Sequence, residues 1–418
     1  MKDGKKHVII IGGGAAGCFC AANLDAHKYQ VTILEQNKDL LQKVKISGGG
    51  RCNVTHACFD PRELSLFYPR GSKELRSVFS KFQPGDMMQW LEERGVAVKI
   101  ENDNRIFPES NSSQTIIDCF LREMQENGVQ VHTQSVVRQI IPTDVGYTVH
   151  TKDEVFHADI ILFSTGSSPK SLQLLENLGH HIISPVPSLF TFTIQDALLN
   201  ELSGTSFPNA TVKIKTLKSE ETGALLITHW GLSGPVILRL SAWQARELAK
   251  VNYQFTIEVN FISEHIEKCI ETMEDYKSMH PNKTLSQSKI FDITNRFWSK
   301  ILTESQIEPY KTWMQVSKKG IRKIAENLCQ KEFQVQGKST FKDEFVTAGG
   351  VELKEIDFKT MASKLLSNFY IAGEVLDIDA ITGGFNFQAC WSEAWIIATH
   401  LNEINGWLCK KREIQKSI

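Results

Sequence analysis

His7-Val8-Ile9-Ile10-Ile11 runs into Gly12-Gly13-Gly14-Ala15-Ala16-Gly17, and a helical stretch then leads to Ile33-Leu34-Glu35-Gln36. An apolar strand, a glycine turn, an amphipathic helix, a second strand and a terminal acid make up one dinucleotide-binding βαβ unit. Gly12 allows the tight turn, Gly14 lets the backbone approach a pyrophosphate, and Gly17 lets helix and strand pack closely. Glu35 stands at the spacing of roughly 20 residues at which a carboxylate accepts ribose hydroxyls. The start of the helix at Ala15 and Ala16 offers unpaired N–H groups and a dipole to the phosphates. A lone glycine fingerprint is weak, but strand, helix and acid are all in register here, which argues for a nucleotide site and an α/β, Rossmann-like fold.

A second glycine segment follows soon after the acid: Ser47-Gly48-Gly49-Gly50-Arg51-Cys52-Asn53. It belongs near the C-terminal edge of the acid-bearing strand, beside the middle of a bound dinucleotide. Three successive glycines leave backbone N–H groups uncovered for a phosphate or a flavin edge. Arg51, Cys52 and Asn53 then place capable side chains directly after that bare backbone. Further on, Ala158-Asp159-Ile160-Ile161-Leu162-Phe163-Ser164-Thr165-Gly166 reads as a buried strand ending at a small-residue turn, where Thr165 and Gly166 give another backbone contact.

The far end of the chain completes the set. Asn368-Phe369-Tyr370-Ile371-Ala372-Gly373-Glu374 reads as a buried strand ending in a glycine and an acid. Ile381-Thr382-Gly383-Gly384-Phe385-Asn386-Phe387-Gln388 opens a helix expected to run to about His400. Glu374 suits the sugar-alcohol chain of a flavin. The helix start at Gly384 and Phe385 would face the pyrimidine side of the ring, where negative charge grows on reduction. Asn386 and Gln388 are candidates to orient the ring, with helix capping an alternative for Asn386.

These motifs together resemble the two-dinucleotide-fold FAD proteins, and within them the flavoproteins of the BaiN/RdsA (YhiN-like) type. The similarity also runs through Arg105-Ile106-Phe107-Pro108, Thr228-His229-Trp230-Gly231-Leu232-Ser233-Gly234-Pro235 and Thr347-Ala348-Gly349-Gly350-Val351. It implies FAD, an NAD(P)H-linked oxidoreductase, a domain inserted into the FAD fold, and backbone atoms of Val137 reading the adenine edge. Members of the family are associated with reducing a carbon–carbon double bond conjugated to a carbonyl, in a steroid dienone or a uracil of ribosomal RNA. The chain departs from the pattern after Gly166, where relatives carry a longer glycine-rich stretch. Here Ser167-Ser168-Pro169 leads straight into a helical run from Lys170 to Leu178, so contacts that a longer loop would make with nicotinamide or substrate are not carried over.

At 418 residues the chain exceeds a usual single core. The reading divides it into an FAD domain of residues 1–187 and 345–418, re-entered near Phe345, and an inserted domain of 188–344. Two prolines, in Pro185-Val186-Pro187, are expected to interrupt any regular element at the first boundary. The insert reads as a small antiparallel sheet or barrel to about residue 260 and as helices from about 264 to 330. Near-neutral charge, at −1, gives no global attraction to nucleic acid. Local basic candidates are Lys318-Lys319 with Arg322-Lys323, and Lys410-Lys411-Arg412, each readable as a solvated helix face. No apolar run approaches the roughly 20 residues of a membrane span, and the first strand begins almost at residue 1, so the expected location is the cytoplasm. Nine irregularly spaced cysteines without a C-x-x-C pair argue against a disulfide framework, a zinc site and a thiol relay.

Three residues are candidates for the chemistry of a hydride transfer to an activated double bond. Cys52 is the candidate acid, since an unperturbed thiol with a pKa of roughly 8.5 keeps its proton at neutral pH. Arg51 is the candidate partner for a carbonyl or phosphate, and His229 is a rival acid. No second glycine fingerprint follows a strand, so NADH or NADPH, if used, would have to stack directly at the flavin. Two other readings remain open: a flavin oxidase or dehydrogenase of a small substrate, and a non-catalytic flavin-dependent protein that binds RNA or senses redox state.

Overall fold

The computed structural model describes residues 4–288, 290–339 and 346–415, with side chains as far as residue 404. Two units divide the chain, Met1–Val186 with Lys342–Ile418 and Pro187–Phe341. Phe345, read as the point of return, lies outside the described residues.

The first unit is built on five parallel strands: β1 Lys6–Ile11, β2 Tyr29–Leu34, β3 Gln130–His132, β4 Ile160–Phe163 and β5 Phe369–Ile371. Their order is β3-β2-β1-β4-β5, with Val8 facing Val31 on one side and Ile160 on the other. Val8, Ile9 and Ile10 are each fully buried, as consecutive apolar residues must be when a parallel sheet is covered on both faces. The order in which strands are added reverses between β1 and β4, which opens a crevice at the C-terminal ends of the strands.

Three helices matter most to that crevice: α1 Ala15–Asn23, α2 Gln42–Gly50 and α3 Phe385–Gln415. Phe19 on α1 packs edge-on against Trp391 of α3 at 5.4 Å and Trp90 at 4.9 Å, fixing α1 against the C-terminal helix. α3 continues past the expected end near His400 as far as Gln415. The long β2–β3 connection also carries a three-stranded sheet in which Arg105–Pro108 lies between Thr55–His56 and Val98–Ile100. Pro185 and Pro187 do not break regular structure as expected. They lie in a strand, Ile182–Ser188, paired with Val346–Val351 in a two-stranded sheet. Such a sheet consists of edges only, where a missing N–H can face away from the partner.

The second unit is a seven-stranded antiparallel sheet. In spatial order it runs Lys331–Val335, Phe255–Asn260, Ser206–Ile214, Ser219–Thr228, Gly231–Ser233, Thr191–Thr193 and Gly337–Ser339. The first and last members are successive halves of one stretch, parted only by Gln336, whose N–H donates to the Thr193 carbonyl at 2.9 Å. One segment therefore covers both edges, and the sheet rolls toward a barrel. Helices Pro235–Trp243 and Ala245–Lys250 interrupt the stretch read as strands, with Pro235 in the first turn where its absent N–H costs nothing. Phe207, Phe261 and Phe297 pack within 4.9 Å of one another and join the sheet to helix Asn295–Glu304 in one apolar core.

Candidate functional site

The turn after β1 is shaped by what cannot be placed there. A Cβ on Gly17 would lie 2.1 Å from the Gly12 carbonyl oxygen and 2.7 Å from the Ser164 hydroxyl. Ser164 in turn donates to the Ile11 and Gly12 carbonyls at 3.3 and 3.1 Å, locking the end of β4 to the glycine turn. Gly14 differs, because a Cβ there would find only open space, the nearest atom being the Ser164 carbonyl oxygen at 4.0 Å. Gly14 is the N-cap of α1 with no capping side chain, and no acid stands in the first turn. The helix start thus presents bare N–H groups and positive dipole to the crevice.

Glu35 caps β2 and is nearly buried. One carboxylate oxygen accepts the Gly13 N–H at 2.7 Å, and the other accepts the backbone and side-chain N–H groups of Asn37 at 2.8 and 2.7 Å. Gln36 beside it is exposed. The segment after β3 is irregular, and its Ser135 N–H donates to the Glu35 carbonyl at 2.8 Å. It carries Val137, half-buried, whose backbone N–H has no partner among the described residues.

Ser47 breaks the last turn of α2, and Gly48, Gly49 and Gly50 follow at φ of 57°, 68° and 84°. One left-handed residue is tolerable; three in succession would cost an L-residue roughly 1–2 kcal/mol at each position. The Ser47 carbonyl closes the turn by accepting the N–H groups of Arg51 and Cys52. All three glycines are exposed.

The side chains that follow are committed elsewhere. Arg51 donates to Glu101 at 2.6 Å and lies 3.9 Å over the Phe107 ring, so its charge is already matched by a carboxylate and an aromatic face. Cys52 is fully buried, and burial pushes its thiol up to about 12. A thiol so held keeps its proton but presents no surface to a substrate, which corrects the expectation of a proton donor here. Asn53, oriented by its hydrogen bonds, accepts the Gly384 N–H at 2.9 Å and donates to the Thr55 carbonyl at 3.0 Å. It fastens the second glycine segment to the start of α3.

At the end of β5, Glu374 forms an ion pair with Lys43 and accepts the Thr347 N–H at 3.1 Å. A Cβ on Gly166 would lie 4.0 Å from the Glu374 carboxylate, and Thr165 and Gly166 are half-buried beside it. Gly373 packs against Ala16 of α1 and donates its N–H at 2.6 Å to Glu393, a fully buried acid on α3. Burial raises the Glu393 carboxyl to about 8, opposed by that N–H, and its other oxygen has no partner among the described residues.

Two expected ring contacts at α3 are corrected. Gln388 is fully buried, accepting the Thr55 hydroxyl at 2.6 Å and donating to Ser392 at 3.0 Å. Asn386 pairs with both backbone groups of Ala380, at 3.0 and 3.3 Å, so its amide is engaged with its own chain rather than with the helix end. Phe385 is buried, with its ring stacked on Phe67 at 4.4 Å.

His56, not singled out from the sequence, lies beside this helix start. Its ring is 4.5 Å from Phe385, and Nδ1 sits 3.2 Å from the Gly383 carbonyl oxygen, which assigns the Nδ1–H tautomer and leaves Nε2 as an acceptor. Burial draws its pKa below the ordinary value, against the Gly383 carbonyl, which raises it. The available signal was a histidine three residues after Asn53 in a strand too short to show periodicity. His229 belongs to the second unit, in the exposed turn between strands Ser219–Thr228 and Gly231–Ser233.

With this geometry in place, comparison with known proteins gives a consistent setting. The family described as HI0933-like protein Rossmann domain matches residues 6–400. The ribosomal RNA dihydrouridine synthase of Escherichia coli (strain K12) is 27% identical over 406 residues, covering 94% of this chain and 97% of that protein. The 3-dehydro-bile acid delta(4,6)-reductase of Clostridium scindens is 26% identical, covering 93% and 97%. Among solved structures, 3-ketosteroid-delta4-(5alpha)-dehydrogenase from Rhodococcus jostii RHA1 superposes with a TM-score of 0.50 at 9% identity, over 95% of this chain and 97% of that one, a likeness of fold. Among the described residues no helix is long and apolar enough to cross a membrane.

Proposed function

The chain belongs to the HI0933-like family of Rossmann-domain proteins, and from that premise we propose that it is an FAD-dependent reductase of a carbon–carbon double bond conjugated to a carbonyl. The observation that carries the reading is the bare edge at Gly14, where an uncapped helix start meets open space between Glu35 and the end of β4. The cradle fits the group: the α1 N–H groups suit its pyrophosphate, Glu35 its ribose, the Val137 backbone its adenine and Glu374 with Lys43 its sugar-alcohol chain. The left-handed Gly48–Gly50 turn and the start of α3 suit the ring. When bound, FAD would supply two-electron hydride chemistry, suited to the β-carbon of such an alkene.

The chain's own residues do the rest. The dipole of α3, held open by Gly383 and Gly384, favours negative charge at the crevice. The α-carbon must gain a proton as the β-carbon gains hydride; His56, neutral because burial disfavours its charged form, can take one up from solvent at Nε2 and pass it on. Lys43 balances Glu374 so that the sugar chain does not meet an unpaired carboxylate.

The substrate class follows from the relatives. One is named for making dihydrouridine in ribosomal RNA and the other for reducing a bile-acid dienone. Saturating the 5,6 bond of uracil and saturating an enone are the same reaction on two scaffolds. NADH or NADPH is the proposed donor. Anaerobic stopped-flow absorbance tests this: the oxidised flavin band should bleach with NADH or NADPH and recover with an enone or uridine-containing RNA. Bleaching by neither nucleotide removes the nicotinamide half of the proposal, and recovery with no conjugated acceptor removes the reductase half.

A further inference from the structure

Charge is distributed unevenly in the second unit. The whole chain is near neutral, yet Lys277 to Lys323 holds ten Lys and Arg against three Asp and Glu. The fold draws part of that excess together. Backbone bonds from Leu285 to the Lys311 carbonyl at 3.0 Å, from Trp313 to Lys283 at 3.1 Å and from Met314 to Pro281 at 2.9 Å strap two loops side by side. Trp313, fully buried, anchors them through its indole N–H to Ser288 at 2.8 Å. The outer side is left with Tyr310 at 84% exposed and Met314 at 62%.

Lys311, Lys318 and Lys319 have no acidic partner among the described residues. Lys318 and Lys319 also occupy the first turn of helix Lys318–Cys329, which carries no acid there. Cations at the positive end of a helix are locally unfavourable, and a ligand with negative charge would relieve the conflict. Tyr310 adjoins Lys311 in the chain, and Lys318 and Lys319 open the helix that follows the same loop; an exposed aromatic ring and lysines along one stretch can stack a base and hold a sugar–phosphate strand.

We propose that this face, with Lys311, Lys318 and Lys319 on phosphates and Tyr310 under a base, is a docking surface for single-stranded RNA. The inference rests on the RNA branch of the function proposed above. Its test is fluorescence anisotropy of the full-length FAD-loaded protein with a labelled uridine-rich single-stranded RNA at low and moderate salt. Replacing all three lysines by Ala should weaken binding about tenfold or more and lower the slope of log affinity against log salt by about 2. Tyr310→Ala should weaken it about tenfold with the slope unchanged. A triple Lys→Arg variant should bind as the native protein does, which separates charge from folding.

Native-like binding by both the triple-Ala and Tyr310→Ala variants would overturn the surface. So would a native protein that ignores RNA but binds vesicles of anionic lipid. Turnover of a small enone without any RNA binding also overturns it, and leaves the reductase reading standing. RNA binding that depends on these residues without turnover supports the surface and removes the reductase reading instead.

Discussion

The two units of this protein store their information in different places. In the first, the crevice is made of backbone: glycines that admit a close approach, the uncapped start of α1, and acids held by N–H groups. Side chains with obvious chemistry, Arg51 and Cys52, are turned to structural use. The second unit reverses this. Its interior is aliphatic and aromatic packing, and the surface proposed above to dock RNA is made of exposed side chains. A backbone-made site tolerates few substitutions and is specific in shape, whereas a side-chain-made surface can be altered without disturbing the fold beneath.

The largest effect that could break this contrast is at Gly17. Gly17→Val drives a side chain into the Gly12 carbonyl, and the expected cost exceeds about 4 kcal/mol, leaving no folded protein in circular dichroism. Gly14→Val, three residues away, should leave the melting temperature of the flavin-free protein unchanged within a few degrees. Its FAD dissociation constant should rise roughly 100-fold, since the bulk meets ligand rather than protein. If both variants unfold alike, Gly14 does not face open space. In the second unit, Trp313→Ala should cost about 3–5 kcal/mol in a thermal melt. Flavin absorbance per folded molecule should persist, and its disappearance would mean that the two kinds of information are not separable.

A smaller effect concerns Glu393. Its folded pKa is raised to about 8, so the folded chain holds a proton that the unfolded chain releases at the usual carboxylate range. The stability tied to that proton is present at acid pH and is lost as pH rises toward 8. Glu393→Gln should flatten the profile, melting close to the native protein near pH 5 and about a few degrees higher above pH 8. The smallest effect is expected at Cys52. Cys52→Ser should keep turnover within about threefold, because a buried thiol packs rather than reacts. A loss near the roughly 100-fold typical of a missing general acid would restore it to the chemistry.

Legibility in the sequence follows the same division. The close approaches at Gly12 and Gly17, and the strand ends at Glu35 and at Gly373-Glu374, could be read as positions because a tight turn or close approach demands a residue type at a fixed spacing, and the demand is local. Gln388 and Asn386 were misread because an amide serves a ligand or a neighbouring backbone equally well. What decides between them are Thr55 and Ala380, one of them 333 residues away. Arg51 went the same way, its partner Glu101 lying 50 residues on. In the second unit strands before about residue 260 were visible, but Lys331–Val335 and Gly337–Ser339 were not read, and the pairing of Thr191–Thr193 with Gly337–Ser339 is one that no local pattern encodes. The strand with Pro185 and Pro187 was hidden because prolines forbid only the interior of a sheet.

That last pairing also bears on how such a chain could arise. Thr191 faces Ser339 and Thr193 faces Gly337, so the second unit begins and ends on hydrogen-bonded neighbours. A module whose two ends emerge side by side can be spliced into a surface loop of a host without stretching the host's own backbone. Such a module can be exchanged as a whole at this one seam, without altering the host's own strand order.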